Sequence, residues 1–360
     1  MRAFDRDALL YPELQIRDTN WLKGTLLCFP QVRRMVPMFY DPIDSAEVKA
    51  FTRVTGFRGE PLLANEYIDF DLGWPVKLAE QRLLQILEEN HSFIVGRYSL
   101  ANTPVYRHYR LHSGKMLWSL SRYLSTHRLG RSQGPWVEVH RTLGETIMSI
   151  IAIAIARHKG LDVVTRSGFM HHGLAVLDEE EVFSRLLGIE HRTKTASAGE
   201  VADEIAEIVM TSCFDVSRLT AEQIGDLLKD GNDLRRFKDA IVPFAESLPD
   251  VIDPKERESR LREKATEVVQ EWKKYKKSLP RFALDALTDA SEIKFSEVAS
   301  GIMAGGTGFA LASGGGLAVG LLLWKGVSIW QKYKREVNNP LNYLTKIQKS
   351  GASVVFPRLK

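Results

Sequence analysis

Apolar positions come singly and in short bursts at first, and only later settle into helical spacing. Ala8 to Tyr11 reads as a short strand that leaves into a turn, because Pro12 has no N–H for a ladder and holds Tyr11 extended. Asp18 or Thr19 can then cap a helix. Trp21, Leu22, Thr25, Leu26, Phe29 and Val32 recur at its spacing, with Arg33 and Arg34 near its C-terminal end and Pro37 as its stop. From residue 38 to 75 the prolines and glycines predict loop, broken by one short helix over Ser45–Val54.

Leu78 to Leu87 predicts a further helix. From His91 the pattern turns to alternation: Phe93, Val95 and Tyr98, then Val105, Tyr109 and Leu111, predict one or two short strands, followed by a helix over Lys115–His127. Thr142–His158 is an apolar helix closed by Lys159 and Gly160, and Leu161–Thr165 reads as a strand directly after it. After Thr193 the chain is helical. Thr220 with Gln223 forms a capping box, Leu234, Phe237, Ile241, Phe244 and Leu248 form one stripe, and Pro254 opens a helix. Along it Leu261, Ala265, Val268, Trp272, Tyr275 and Leu279 make a seam that packs lengthwise on another helix, within the chain or between copies.

The expected architecture is α+β and predominantly helical: an α/β unit over 1–195, an amphipathic helical region over 196–296, and a glycine-rich hydrophobic hairpin with a basic tail over 297–360. The last part rests on twenty-seven consecutive uncharged residues, Val298 to Trp324, eight of them glycine. As one helix this run would measure about 40 Å, enough to cross a hydrocarbon layer of about 30 Å, and Ala304, Gly308, Ala312, Gly316 and Gly320 fall four apart, as close helix pairs require. Split at Gly314, Gly315 and Gly316 it becomes a buried hairpin of two pieces too short to span singly. The mean hydropathy of −0.17 favours that hairpin, with Gly308, Phe309, Leu317, Leu321 and Trp324 along it. If released it would touch a membrane, with Lys325, Lys332, Lys334 and Arg335 on the cytoplasmic side.

Charge changes the picture in one place. The net charge of +4 is mild, but residues 91–142 hold eight Lys/Arg against the single acid Glu138. Tyr98, Tyr106, Tyr109, Trp118, Tyr123 and Trp136 are interleaved with them. Arg107, Arg110, Lys115, Trp118, Arg122, Arg128 and Arg131 are therefore the candidate contacts for an acidic partner, protein or nucleic acid. The competing reading has the acids between Asp178 and Asp203 neutralise this segment inside the fold.

Chemistry beyond binding has thin support. All nine histidines fall between residues 91 and 191, but HYRLH lacks the glutamate of a zinc-protease helix and no cysteine accompanies it, so no metal site is expected. Gly305, Gly306 and Gly308 lack the Lys and Ser/Thr of a phosphate loop, and no cofactor motif is present. A hydrolase or nuclease would need a site assembled from dispersed groups such as Asp18, Glu138, His140 and His171. Cys28 and Cys213 lie among apolar residues, as buried thiols of a reducing compartment do. The opening residues are not a secretory signal, so a cytoplasmic location is expected.

Three strings carry a resemblance: LLYPELQIRDTNWLKGTLLCFPQVRRMVP, HRTLGETIMSIIAIAIARHKGLDVVTRSGFMHH and KYKREVNNPLNYL. They resemble the landmarks of a bacterial family of unknown function: an opening around Tyr11, Pro12, Asp18, Trp21, Leu22 and Lys23, a central apolar helix, and an Asn339–Leu341 tail. Arg166 stands where similar chains carry an acid, which argues against a carboxylate site there. The resemblance implies no activity; it implies an accessory or antiviral-defence role.

Overall fold

A computed structural model describes residues 6–11, 14–38, 40–68, 74–165, 177–189, 197–229, 231–246, 248, 254–278 and 339–355. The glycine-rich stretch 298–324, with Gly308, Phe309, Gly314, Gly315, Gly316, Leu317, Leu321 and Trp324, lies outside them, as do His171, His172, His191 and Arg166. The fold is α+β and mostly helical.

Its centre is a four-stranded parallel sheet. Strand β1 (Ala8–Tyr11) pairs with β2 (Val32–Pro37) on one side and with β7 (Asp162–Thr165) on the other, and β3 (Leu63–Ile68) extends the β2 side, so the order is β3-β2-β1-β7. Every residue of β1 is buried, as a parallel strand covered on both faces must be. Its alternating side chains feed two cores. Ala8 and Leu10 join one, and Leu9 and Tyr11 the other.

The strand β2 corrects the sequence reading, in which Phe29 and Val32 extended the first helix. Helix α1 (Thr19–Leu26) stops short, and Val32–Pro37 returns as a strand. The cause is Pro30, which pushes Phe29 out of the helical region and cannot donate an intrahelical bond. At its start, α1 is capped by the Asp18 carboxylate, which accepts from the Trp21 N–H, as expected. Strand β3 falls in a stretch read as loop; the short helix α2 (Ala46–Phe51) before it is capped by Ser45.

The second correction concerns 91–98. It forms helix α4 (His91–Tyr98), following α3 (Trp74–Glu89), because Ile94 and Tyr98 are the buried pair, four apart, while Phe93 is turned outward. Strand β4 (His108–His112), helix α5 (Trp118–Thr126), and strands β5 (Gly130–Gln133) and β6 (Trp136–His140) follow. The three strands form an antiparallel sheet in the order β4-β6-β5, whose turn at Gly134 has the positive φ that glycine permits. Helix α6 (Arg141–Lys159) begins at the end of β6 and ends on a left-handed Gly160.

Helix α7 (Glu179–Leu187) completes the layer on the Leu9 and Tyr11 face. The opposite face is covered by α8 (Ala198–Ile208), α9 (Ala221–Leu228), α10 (Asn232–Glu246), α11 (Pro254–Ser278) and α12 (Asn342–Lys349). The Thr220/Gln223 capping box forms as the sequence predicts. Leu261, Ala265, Val268 and Trp272 are buried, and the seam is met within the chain: Trp272 donates to Thr345 at 3.0 Å and Tyr275 to Asn342 at 2.8 Å. Strands β8 (Phe214–Asp215) and β9 (Ser353–Val354) pair beside it. Cys28 and Cys213 are buried free thiols. Among the described residues no helix is long and apolar enough to cross a membrane.

A basic face and the cavity beside it

The antiparallel sheet buries Val137, Val139 and Leu111 and turns the alternate residues outward, which sets the candidate residues in rows. One row is Arg110, Glu138 and Arg131, side by side across β4, β6 and β5. Arg131 donates to the Glu138 carboxylate, and His108 Nδ1 lies 3.5 Å from it. The Arg131 hydrogen bond, above all, holds that carboxyl below the usual range, so the only acid of the segment is neutralised by its own neighbours. The adjoining row pairs His108 with His140. Burial, then Arg107, His108 and Arg97, press the His140 imidazole toward its neutral form.

Several arginines lie over aromatic rings. Arg107 stands 5.7 Å from the centre of Tyr106, Arg110 5.5 Å from Trp136, Arg122 5.1 Å from Trp118, and Arg97 5.7 Å from Phe93. Tyr106 and Trp118 are 77% and 72% exposed, unusually open for rings of that size. Arg128 is exposed, and its carbonyl accepts from the Leu100 N–H. Of the acids offered as internal partners, the described ones are engaged elsewhere: Glu179 and Glu180 with Arg82, Glu181 with Arg185, Asp203 with Lys238, while Asp178 and Glu200 cap helices; Glu190 lies outside the described residues.

Lys115 does not belong to this surface. It is 2% exposed, drawn under the sheet by a tight turn at Ser113–Lys115 whose Gly114 lies against Pro37 at the end of β2. There it lines a cavity of about 550 Å³ at the carboxyl ends of the parallel strands. Leu14, Gln15 and Arg17 enter from the loop after β1, Tyr40 from beyond β2, Tyr109 to His112 from β4, Trp136 from β6, and Arg141, Glu145 and Met148 from α6. Two ties fix these walls. The buried Tyr11 hydroxyl donates to the Glu145 carbonyl at 2.6 Å, and Arg34 donates to the Leu14 carbonyl at 3.2 Å.

Electrostatically the cavity is cationic. Arg17, Arg110, Lys115 and Arg141 face it against Glu145, whose carboxylate already takes a hydrogen bond from Arg141 at 3.1 Å. Burial, and secondarily Arg34, bring the Lys115 ammonium down to about 7. His112 is pressed below its ordinary value by burial and then by Lys115; its Nδ1 accepts from the Gly114 N–H at 3.1 Å, which leaves the neutral ring its proton on Nε2. His112 also meets Tyr40 and Trp136 edge-on, at 5.2 and 5.1 Å.

The dispersed catalytic set does not assemble from what is described. Asp18 caps α1, His140 Nδ1 caps α6 by accepting from Thr142, and Glu138 is paired with Arg131. Among the described residues no group of three or more His, Cys, Asp or Glu is arranged to hold a metal ion. Sequence reasoning missed Arg17, Tyr40 and Glu145 as neighbours of Lys115; the available signal was the loop after β1, since parallel sheets gather ligands at that edge.

The class these features define is an α+β protein with a basic row on its antiparallel sheet, exposed arginine–ring pairs on adjoining elements, and a cationic cavity at the edge of the parallel sheet. Compared with protein-family models, curated proteins and solved structures, the chain matches none of them.

Proposed function

We propose that this is a non-enzymatic binding protein for an acidic partner, and that the partner is a single nucleic-acid strand lying on the outer face of β4, β6 and β5. What supports it is Arg110 over Trp136 beside the self-neutralised Glu138 on that face, with Arg107 over Tyr106 just before β4 and Arg122 over Trp118 on α5 as further exposed pairs. Guanidinium planes held in this way present phosphate contacts and stacking surfaces without first having to be ordered. A labelled single-stranded oligonucleotide is expected to bind with an affinity that falls steeply with salt. Arg107→Ala with Arg131→Ala is expected to weaken it at least about tenfold and to reduce the salt slope by about 0.7 for each phosphate left without its arginine. Equal binding of an acidic peptide of the same charge would point to a protein partner; no binding at low salt rejects the reading.

The setting we propose is the bacterial cytoplasm, as part of an antiviral-defence effector. The uncharged run 298–324 is, by length and composition alone, the segment we propose for conditional membrane contact. Fractionation of cells making the chain with and without those residues checks this. Membrane recovery that does not depend on the run, or none under any trigger, removes that part.

A further inference from the structure

We infer that the cavity at the carboxyl edge of the parallel sheet is a second, small-molecule site, and that its ligand is a nucleoside monophosphate. This goes beyond the strand-binding reading and does not rest on it; only Arg110 and Trp136 serve both.

The position comes first. In the order β3-β2-β1-β7, chain connections leave β1 toward β2 on one side, while β7 is added later on the other, so β1 and β7 flank the point where the winding reverses. Open parallel sheets bind ligands in the crevice outside the strand ends at such a point. Here the β4 edge and the Ser113–Lys115 turn bound a half-open chamber of about 550 Å³ on that carboxyl edge, lined from the loop after β1 and from beyond β2. That falls within the range of about 300–1,000 Å³ usual for small-ligand sites.

The lining then selects the ligand. Four cations against one carboxylate, itself held by Arg141, leave a positive excess that a phosphate monoester dianion matches. Tyr40, Tyr109 and Trp136 supply flat walls, and the base of a nucleotide is the flat part of such a ligand. The loop after β1 narrows the choice further. Residues 12–17 contain no glycine, so the backbone cannot close on a pyrophosphate as glycine-rich loops do. Recognition falls to side chains, which suits one phosphate rather than a dinucleotide.

A bound phosphate must hold Lys115 protonated. The groups facing Lys115 are Arg34 from β2, itself bound to Asp44, His112 from β4, and Arg17, Arg110, Arg141 and Glu145 across the chamber. His112 is already neutral above its lowered value, so among the groups lining the chamber Lys115 is the one that changes charge between pH 7 and 8.5; Glu80, pushed up to about 8 by burial, ionises in the same window against the Leu117 N–H but does not line the chamber. Its free-state value is about 7 and binding raises it, so tight binding requires a proton that is lost as pH rises. Affinity is expected to fall roughly tenfold from pH 7 to 8.5.

The test is calorimetry on the full chain with AMP, GMP, CMP and UMP, with the matching nucleosides and inorganic phosphate as controls. At least one monophosphate is expected to bind one-to-one, with its nucleoside and phosphate each at least about tenfold weaker. Arg17→Ala, on an exposed side chain, is expected to weaken it several-fold or more, and Lys115→Met to weaken it and flatten the pH dependence. Lys49→Ala, an exposed cation of α2 outside the chamber, is expected to leave it unchanged. No binding by any monophosphate, phosphate binding as well as the nucleotide, or indifference to both Arg17→Ala and Lys115→Met overturns the inference. None of those results touches the strand-binding reading, which is read from the oligonucleotide alone.

Discussion

Trp272→Ala is expected to cost about 3–5 kcal/mol of folding stability, the range for emptying a fully buried tryptophan site. Trp272 is 1% exposed, its ring centre stands 5.5 Å from that of Phe214, and its indole N–H donates to Thr345 at 3.0 Å. The helix around it is mostly charged, so α11 stays folded by docking rather than by itself, and Trp272 is the largest side chain of the docked seam. Tyr343 of α12 in turn donates to the Leu27 carbonyl at 2.8 Å at the end of α1, so the loss passes to the parallel sheet. Trp272→Phe, which keeps most of the packing, is expected to lose less than half as much. Urea midpoints measure both, and a loss under about 1 kcal/mol for the alanine variant would show that α11 is peripheral.

This C-terminal half was legible because each signal there is local and repeats. The Thr220 capping box, Pro254 at the first turn, and the steps of four and three from Leu261 to Trp272 are carried by neighbours on one helix face. The long α6 with its Gly160 terminus was readable for the same reason. The parallel sheet was not. Val32–Pro37 shows apolar residues on both sides of a double arginine, and only pairing in space makes Arg34 an inward side chain. Missing β2 and β3 hid the strand order, and with it the edge where ligands gather. The basic segment was visible as composition, yet composition could not separate Arg110, exposed at the mouth of the cavity, from Lys115, five residues on and buried within its lining. That separation comes from the turn at Ser113–Lys115 and its contact with Pro37.

Arg34→Met tests the support beneath the cavity, and a loss of about 3–5 kcal/mol is expected, because it strands a buried carboxylate. The Arg34 side chain is 1% exposed and that of Asp44 is 5% exposed; they meet at 2.7 Å. The other guanidinium N–H groups donate to Asn65 on β3 at 3.2 and 2.9 Å and to the Leu14 carbonyl at 3.2 Å, so one side chain joins the neighbouring strand, the loop before α2 and the loop that carries Arg17. The cost lies chiefly in the unpaired Asp44, so adding Asp44→Asn is expected to return a substantial part of it, a coupling that a double-mutant cycle reads directly. Removing Arg34 also removes a positive charge that depresses Lys115, so the Lys115 ammonium is expected to titrate at higher pH. The rate of its reductive methylation against pH, followed by mass spectrometry, reports that shift. A variant that loses stability while the Lys115 profile stays fixed would mean that burial alone sets the lysine, and that Arg34 holds the chamber's walls without tuning its charge.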